Sequence, residues 1–129
     1  MNAATEHTPY ELIGGEPAVR RLVDGFYDRM VTSTAAKELR EMHARDLGPM
    51  REKLFDFLSG WLGGPPRYFE RADRQCMTSV HAHYVIGARE RDQWLECMRL
   101  ALNALEAPED TVRLIDAAFV HVAEALRNA

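Results

Sequence analysis

The sequence comprises 129 residues, of which 47% are hydrophobic, 28% charged and 9% aromatic. These values are typical of one globular domain, and they exclude an intrinsically disordered or a fibrous protein. Sixteen Lys and Arg residues against twenty Asp and Glu residues give a formal net charge of −4. That charge argues against a protein that binds nucleic acid or an anionic membrane surface, because both need a basic partner surface.

The first predicted elements are two helices of different length. Residues 1–7 are interpreted as a loose tail and residues 8–129 as a single domain. The segment TPYE at residues 8–11 has the pattern of a capping box, so a short helix begins there and ends at the next pair of glycines. A second helix begins near Glu16, because apolar residues recur with the helical period along one face. That face comprises Val19, Leu22, Val23, Phe26, Tyr27, Met30 and Val31.

A break at residues 32–34 separates this helix from a short helical piece that leads to His43. A longer helix then begins at Gly48, and the segment GGPP at residues 63–66 stops it because proline cannot continue a helix. One face of this helix carries Met50, Leu54, Phe57, Leu58, Trp61 and Leu62.

The rest of the chain predicts an irregular stretch followed by two more helices. Residues 67–80 predict a loop with at most a short helix near its end, and helices follow over about residues 88–106 and after Pro108. No segment alternates with period 2, so the fold class is all-α, and either a four-helix bundle or a globin-like packing fits. The length of the polar stretch 63–87 favours the globin-like packing, because simple bundles prefer short loops.

Two functional alternatives follow from residue types alone. His81 and His83 could chelate zinc from a strand, but on a helix they point about 200° apart. The third ligand would be Cys76, His43 or a carboxylate, at no recognised zinc spacing. The alternatives are therefore a zinc-binding helical protein that uses His81, His83 and Cys76, and a cofactor-free helical interaction module whose aromatic residues all belong to the core. Both Cys76 and Cys97 are interpreted as small buried side chains.

Localisation follows from what the sequence lacks. No apolar run approaches the roughly 18 residues of a membrane span, and neither a basic nor an apolar leader segment follows Met1. Two cysteines are too few for a disulfide framework. We therefore expect a cytoplasmic protein with reduced thiols and no membrane contact.

Four segments resemble one known family in their order and spacing. They are YELIGG at residues 10–15, LVDGFY at 22–27, FLSGWLGGPP at 57–66 and ERDQWLECM at 90–98. Together they resemble a group II truncated haemoglobin over nearly the whole chain after residue 8. The intervals from GGPP to His81 and from His81 to Trp94 also fit this family without a gap.

The resemblance implies a two-over-two helical sandwich around haem b, with His81 as the proximal ligand of the iron. The pattern that His81 begins with Tyr84 and Ile86 resembles the family's His-x-x-Phe-x-Ile, whereas His83 falls two residues late. An imidazole nitrogen is the usual axial ligand in globins, and the other ring nitrogen needs an acceptor that fixes its tautomer.

The resemblance also implies five residues on the distal side, where a gaseous ligand binds. Tyr27 and Trp94 match the family's distal tyrosine and tryptophan, and both rings carry a hydrogen-bond donor. His43 lies where the family has Tyr or Phe, and it could donate to the ligand or hold the Tyr27 hydroxyl. Met50 matches the gate of the side entrance, and Leu54 lies one turn further on, over the haem.

Contacts to the haem edge are less complete than in the family. Val80 occupies the position of an arginine that pairs with a haem propionate, so Lys53 becomes the first candidate for that contact. Arg51, Arg74 and His83 are candidates of lower rank. The other residues that we expect to contact the haem are Phe26, Phe57, Leu58, Tyr68, Tyr84 and Ile86.

The function implied is reversible binding of O₂, NO or CO. Two or three donors in a dry pocket slow the release of a bound ligand, so capture, sensing or redox chemistry is expected in preference to bulk oxygen transport. NO dioxygenation or weak peroxidase chemistry would use the same site and a reductase partner. We expect a monomer or a weak homodimer.

Overall fold

A computed structural model describes residues 7–129, so the predicted tail lies almost entirely outside the described residues. Seven α-helices form, and no strand is present between residues 7 and 129. In chain order they are α1 (Pro9–Ile13), α2 (Glu16–Thr32), α3 (Lys37–Glu41), α4 (Gly48–Trp61), α5 (Met77–His81), α6 (Ala88–Asn103) and α7 (Glu109–Leu126). Short 3₁₀ turns at Thr34–Ala36 and Tyr68–Glu70 lie in the connections. The all-α prediction is confirmed.

The helix starts agree with the local sequence signals. The Thr8 hydroxyl accepts a hydrogen bond from the Glu11 amide at 3.2 Å, and the Glu11 carboxylate accepts one from the Thr8 amide at 3.0 Å. This reciprocal pair is the predicted capping box of α1. Proline within the first two positions opens α1, α2 and α4, where its missing amide hydrogen costs no helical bond.

Two helix pairs make up the body of the molecule. Helix α2 packs on α4, α6 packs on α7, and the two pairs meet along α2 and α6. Gly25 permits the close approach there, because a Cβ at this position would lie 3.3 Å from the Cβ of Ala101. The core between the pairs includes Leu22, Val23, Met98 and Leu102, none of which is exposed to solvent. None of the helices formed by residues 7–129 combines the length and apolarity needed to cross a bilayer.

Three predictions of detail are wrong. Val31 is 54% exposed, because it lies on the last turn of α2 beyond the edge of the core. The long helix ends at Asn103 and not at residue 106, since the chain turns there and Glu106 takes a positive φ of 56°. Cys76 is exposed while Cys97 is buried, because Cys76 lies in extended backbone just before α5.

Candidate cofactor site

His81 is the last residue of α5, and its ring has a fixed tautomer. Its Nδ1 atom lies 2.6 Å from the carbonyl oxygen of Met77. A carbonyl oxygen can only accept, so the neutral ring carries its hydrogen on Nδ1 and leaves the lone pair on Nε2. An imidazole in this state is a ready metal ligand, with the second nitrogen oriented by a backbone acceptor.

Helix α5 has almost no packing of its own. None of its five residues is buried, and it packs closely against no other helix of the described chain. Met77, Val80 and His81 are half-buried, and the remaining two residues are exposed. A short helix gains most of its stability from a packed face. Because protein atoms cover so little of α5, a bound cofactor has room to pack against it.

Helix α4 has two apolar faces, and only one of them is covered. Phe55, Leu58 and Leu62 are at most 5% exposed and belong to the protein core. The second face is only partly buried against that core, and it comprises Met50, Leu54, Phe57 and Trp61. These four follow the spacing i, i+4, i+7, i+11, so they share one stripe of the helix. A half-covered apolar stripe, together with a poorly packed helix that carries a histidine with a free Nε2, fits a large flat apolar cofactor that carries a metal.

The polar groups of the distal side are brought together by α2 and by the turn after α3. Tyr27 is 2% exposed, and its hydroxyl forms no hydrogen bond with another described residue. Burial raises the pKa of Tyr27 to about 12, against a smaller lowering by the charge of Arg51. The hydroxyl therefore stays protonated at neutral pH and remains a donor. The rings of Tyr27 and His43 lie 6.1 Å apart and nearly perpendicular.

His43 repeats the geometry of His81. Its Nδ1 atom lies 2.8 Å from the carbonyl oxygen of Leu39, again four residues earlier, so the neutral ring offers only an acceptor at Nε2. Burial lowers the pKa of His43; the bond to Leu39 raises it, and the charges of Arg40 and His81 lower it further. The neutral ring can therefore hold a hydroxyl such as that of Tyr27, but it cannot donate to a ligand.

Trp94 lies on α6 and packs among aromatic rings from other helices. Its ring is 5.6 Å from that of Phe26 and 5.5 Å from that of Phe119, both in edge-to-face contact. Beside it, the Gln93 side chain accepts from the Leu39 amide at 2.9 Å and donates to the Glu38 carboxylate at 2.7 Å. Gln93 thus ties α3, and with it the acceptor of His43, to the helix that carries Trp94.

An ion-pair cluster joins the start of α4 to α2 beside Tyr27. The Arg51 guanidinium donates to Asp24 and Asp28, at 2.9 Å in each case, and lies 5.6 Å from the centre of the Tyr27 ring. Arg51 is therefore committed to α2. Arg74 donates to the Arg71 carbonyl oxygen at 3.1 Å.

Lys53 forms no ion pair within the described part of the chain. It is half-buried, and its charge contributes to lowering the pKa of Asp73, after the larger effect of Arg71. Among the basic candidates for a propionate, Lys53 is thus less committed than Arg51.

The remaining expected contacts differ in how far the protein already covers them. Phe26 and Leu58 are 1% and 2% exposed, so protein atoms alone enclose them and they form the layer behind the site. Ile86 is 9% exposed, whereas Tyr84 is 48% exposed.

Tyr68 belongs to the site's framework. Its hydroxyl donates to the Gln75 carbonyl oxygen at 2.7 Å and accepts from the Gln75 amide at 3.0 Å. Its ring packs edge-on against Phe57 at 5.7 Å, so Tyr68 fastens the loop before α5 to the half-covered face of α4.

The zinc hypothesis finds no support among residues 7–129, where no three His, Cys, Asp or Glu side chains are placed to share a metal ion. His81 is half-buried, but His83 and Cys76 are both exposed. His83 instead lines a surface cavity of about 320 Å³ together with Gln75, Ser79, Val80 and Tyr84.

The sequence did not reveal how four residues support the site. The carbonyl oxygens of Met77 and Leu39 accept from the two histidines, Gln93 joins α3 to α6, and Arg51 joins α4 to α2. The signal for the first two is visible in retrospect. His81 ends one five-residue helix and His43 lies two residues after the end of another, and the last carbonyls of a helix lack intrahelical partners. A ring N–H four residues later can satisfy one of them.

Comparison with known proteins agrees with this geometry. Residues 8–128 match the family described as bacterial-like globin. Group 2 truncated hemoglobin YjbI of Bacillus subtilis is 34% identical over 97 residues, which cover 75% of this chain and 70% of that protein. The group II 2-on-2 hemoglobin of Agrobacterium tumefaciens superposes with a TM-score of 0.93 at 35% identity, over 98% of each chain.

A third relative is the hemoglobin of Chloroflexus aurantiacus, with a TM-score of 0.87 and 40% identity over 96% of this chain and 100% of that one. The globin-like fold prediction is confirmed by these matches. Proteins of this family typically bind haem and gaseous ligands. The chain belongs to the bacterial-like globin family, and within it to the group II truncated haemoglobins.

Proposed function

We propose that this protein binds haem b through Nε2 of His81 and retains O₂, NO or CO on the opposite, distal side. The observation that carries the proposal is the 2.6 Å contact between His81 Nδ1 and the Met77 carbonyl oxygen. It leaves Nε2 as the free coordinating atom of a helix that has no buried residue. When bound, haem would supply an iron that can bind diatomic gases.

The apolar stripe of α4 would cover one face of the cofactor, with Met50, Leu54 and Phe57 as its contacts. Burial of these half-covered side chains contributes favourably, at about 25 cal/mol per Å² of apolar surface removed from water. Lys53 is the proposed partner of a propionate, because it is basic, half-buried and without an ion pair in the described chain.

The distal residues divide into donors and an acceptor. Tyr27 donates, because its raised pKa keeps the hydroxyl protonated, and the indole of Trp94 can only donate. Neutral His43 offers only an acceptor at Nε2, so it would compete with the ligand for the single hydrogen of the Tyr27 hydroxyl. Each hydrogen bond to the ligand is worth about 1.4 kcal/mol in a dry pocket, which slows release about tenfold.

Such retention favours ligand capture, sensing or NO and redox chemistry over bulk oxygen transport. For redox chemistry, a reductase is the partner class that the proposal requires. The protein would act as a monomer or a weak homodimer.

Haemin titration of the purified protein tests the proposal. The wild type should take up one equivalent and show a Soret band with the ferrous spectrum of a histidine-ligated globin. His81→Ala should lose tight uptake, because the only proposed axial nitrogen is removed.

His83→Ala is the matched control, since it removes an exposed histidine two residues away. It should bind haem as the wild type does. Equal uptake by wild type and His81→Ala would contradict the assignment of the ligand, and a wild type that takes up no haem would contradict the function itself.

A further inference from the structure

The loop that follows α5 is held by a residue far away in the sequence. The Asn128 side chain accepts a hydrogen bond from the Ile86 amide at 2.8 Å. Its amide nitrogen donates to the Tyr84 carbonyl oxygen at 2.8 Å and to the His81 carbonyl oxygen at 3.4 Å. One planar amide therefore bridges both ends of the segment that begins at the proximal histidine.

The backbone around Asn128 adds to this bridge. The amides of Asn128 and Ala129 donate to the Ile86 carbonyl oxygen, at 2.9 and 3.1 Å. On the other side of the loop, the Glu90 carboxylate accepts from the Gly87 amide at 3.0 Å. The loop's polar backbone groups are thus satisfied largely by residues outside the loop.

Asn128 is itself held in place by ion pairs at the end of α7. Glu124 pairs with Arg91 at the start of α6 and with Arg127, the latter at 2.8 Å. These contacts hold the last turn of α7 against α6. The position of Asn128 is thereby fixed, and its side chain can restrain the loop.

The hydrogen bonds of Asn128 matter because α5 itself is poorly packed. Since α5 has no buried residue and no close helix partner, the position of His81 along and across the site depends on the loop that joins it to α6. Among the described residues, Asn128 is the only one from a distant element whose side chain forms a hydrogen bond with the His81 backbone.

We propose that Asn128 is a positioning residue for the proximal histidine: its side chain fixes the 81–86 loop and thereby the distance and tilt of the His81 ring toward the iron. The proposal rests on the function proposed above. In this proposal Asn128 affects the iron through the backbone of the 81–86 loop and does not contact the cofactor.

Two substitutions separate the donor and acceptor halves of the bridge. Asn128→Ala removes all three side-chain bonds. Asn128→Asp keeps an acceptor for the Ile86 amide but places a second carboxylate oxygen against the carbonyls of His81 and Tyr84, where it cannot donate. Asn103→Ala is the control, because this exposed residue at the end of α6 forms no side-chain hydrogen bond with a described residue.

The experiment measures two properties of the reconstituted holoprotein. One is the rate of haem transfer to an excess of a haem-scavenging apoglobin, and the other is the iron–histidine stretching band of the ferrous protein in the resonance Raman spectrum. Both Asn128 variants should lose haem about fivefold to tenfold faster and show a shifted or broadened band. Hydrogen exchange of the residue 82–87 amides should also accelerate in both.

The outcomes are distinct. Asn128 variants that keep the wild-type transfer rate and the wild-type band overturn the positioning role, as does a band that moves equally in Asn103→Ala. A faster haem loss with an unchanged band also overturns it, because a purely structural contribution would have that signature. A wild type and a control that both fail to take up haem overturn the proposed function first, and this inference with it.

Discussion

The proposed distal and proximal sides of the haem site are built in different ways. The proposed distal residues lie on or beside α2, α4 and α6, and α2 packs on both of the other helices. The Arg51 cluster joins α4 to α2, and Gln93 joins α6 to α3. The proposed proximal residue, His81, lies on a five-residue helix without a buried side chain. From this comparison we expect the protein alone to organise the distal side, and the proximal side to become rigid only with the cofactor bound and the Asn128 hydrogen bonds in place.

Removal of haem should give the largest effect. We expect the apoprotein to lose amide protection over residues 77–87 while the centres of α2 and α6 stay protected, since Leu22 and Met98 are fully buried without a cofactor. The holoprotein should be more stable by about 4 kcal/mol at a free haem concentration about 1,000 times the dissociation constant. Thermal unfolding and hydrogen exchange measure both quantities. An apoprotein that matches the holoprotein in melting temperature and in protection of α5 would refute the contrast between the two sides.

Loss of a distal donor should give the next effect. Tyr27→Phe removes a hydroxyl that forms no hydrogen bond with a described residue, so the fold should tolerate it while the O₂ dissociation rate rises about tenfold. Stopped-flow mixing of the oxygenated protein with excess CO measures the rate. Tyr10→Phe, which alters a tyrosine ring packed against Gly64, should leave it unchanged. Equal rates in Tyr27→Phe and wild type would remove Tyr27 from the set of donors.

The sequence was most informative where a local pattern decides the structure. The capping box at Thr8, the start of α4 at Gly48 and the short helix ending at the candidate ligand His81 all depend on neighbours a few residues apart. In α4 the same pattern was ambiguous. Phe55 was missed as a core residue, because the helical period marks apolar positions but does not say which element covers each of them.

Contacts between distant parts of the chain produce no recognisable pattern in the sequence. Arg51 reaches carboxylates 23 and 27 positions away, and Asn128 reaches backbone atoms 42 to 47 positions away. Neither contact follows a helical or strand period, and a polar residue at the surface is by itself unremarkable. The bracing of the site therefore became visible only in three dimensions, whereas the candidate ligand and donors followed from the family resemblance.

The effect of the Arg51 cluster on the distal side can be tested against a second ion pair that joins the same two helices. Arg20 also joins α2 to α4, through a two-bond contact with Glu52 at 2.8 and 3.2 Å. Arg51→Met and Arg20→Met should each lower the free energy of unfolding by about 1.5 kcal/mol or less in urea, because both pairs are partly exposed. Only Arg51→Met should also speed O₂ release, by about twofold to threefold, since its guanidinium lies beside the Tyr27 ring. Equal ligand kinetics in both variants would show that the cluster supports the fold but not the donor.

The smallest expected effect is a pH dependence of stability that arises from His43. Burial holds its pKa in the folded protein below the ordinary value of about 6.5. The unfolded chain therefore binds a proton at His43 more readily than the folded chain does. The contribution of neutral His43 is complete above about pH 6.5 and declines as the pH falls toward its lower folded pKa, by at most about 1.4 kcal/mol per pH unit.

Urea unfolding of the holoprotein between about pH 5 and 8 measures this slope, and His43→Phe should flatten it. Arg40 and His81 also bear on the ring, and both disfavour its protonated form. Both residues are unchanged in His43→Phe, so the difference in slope between the two proteins reports His43. A slope that persists unchanged in His43→Phe would mean that the distal wall is not organised around a neutral imidazole. His43 would then not compete for the single hydrogen of the Tyr27 hydroxyl, and Tyr27 would donate to the ligand alone.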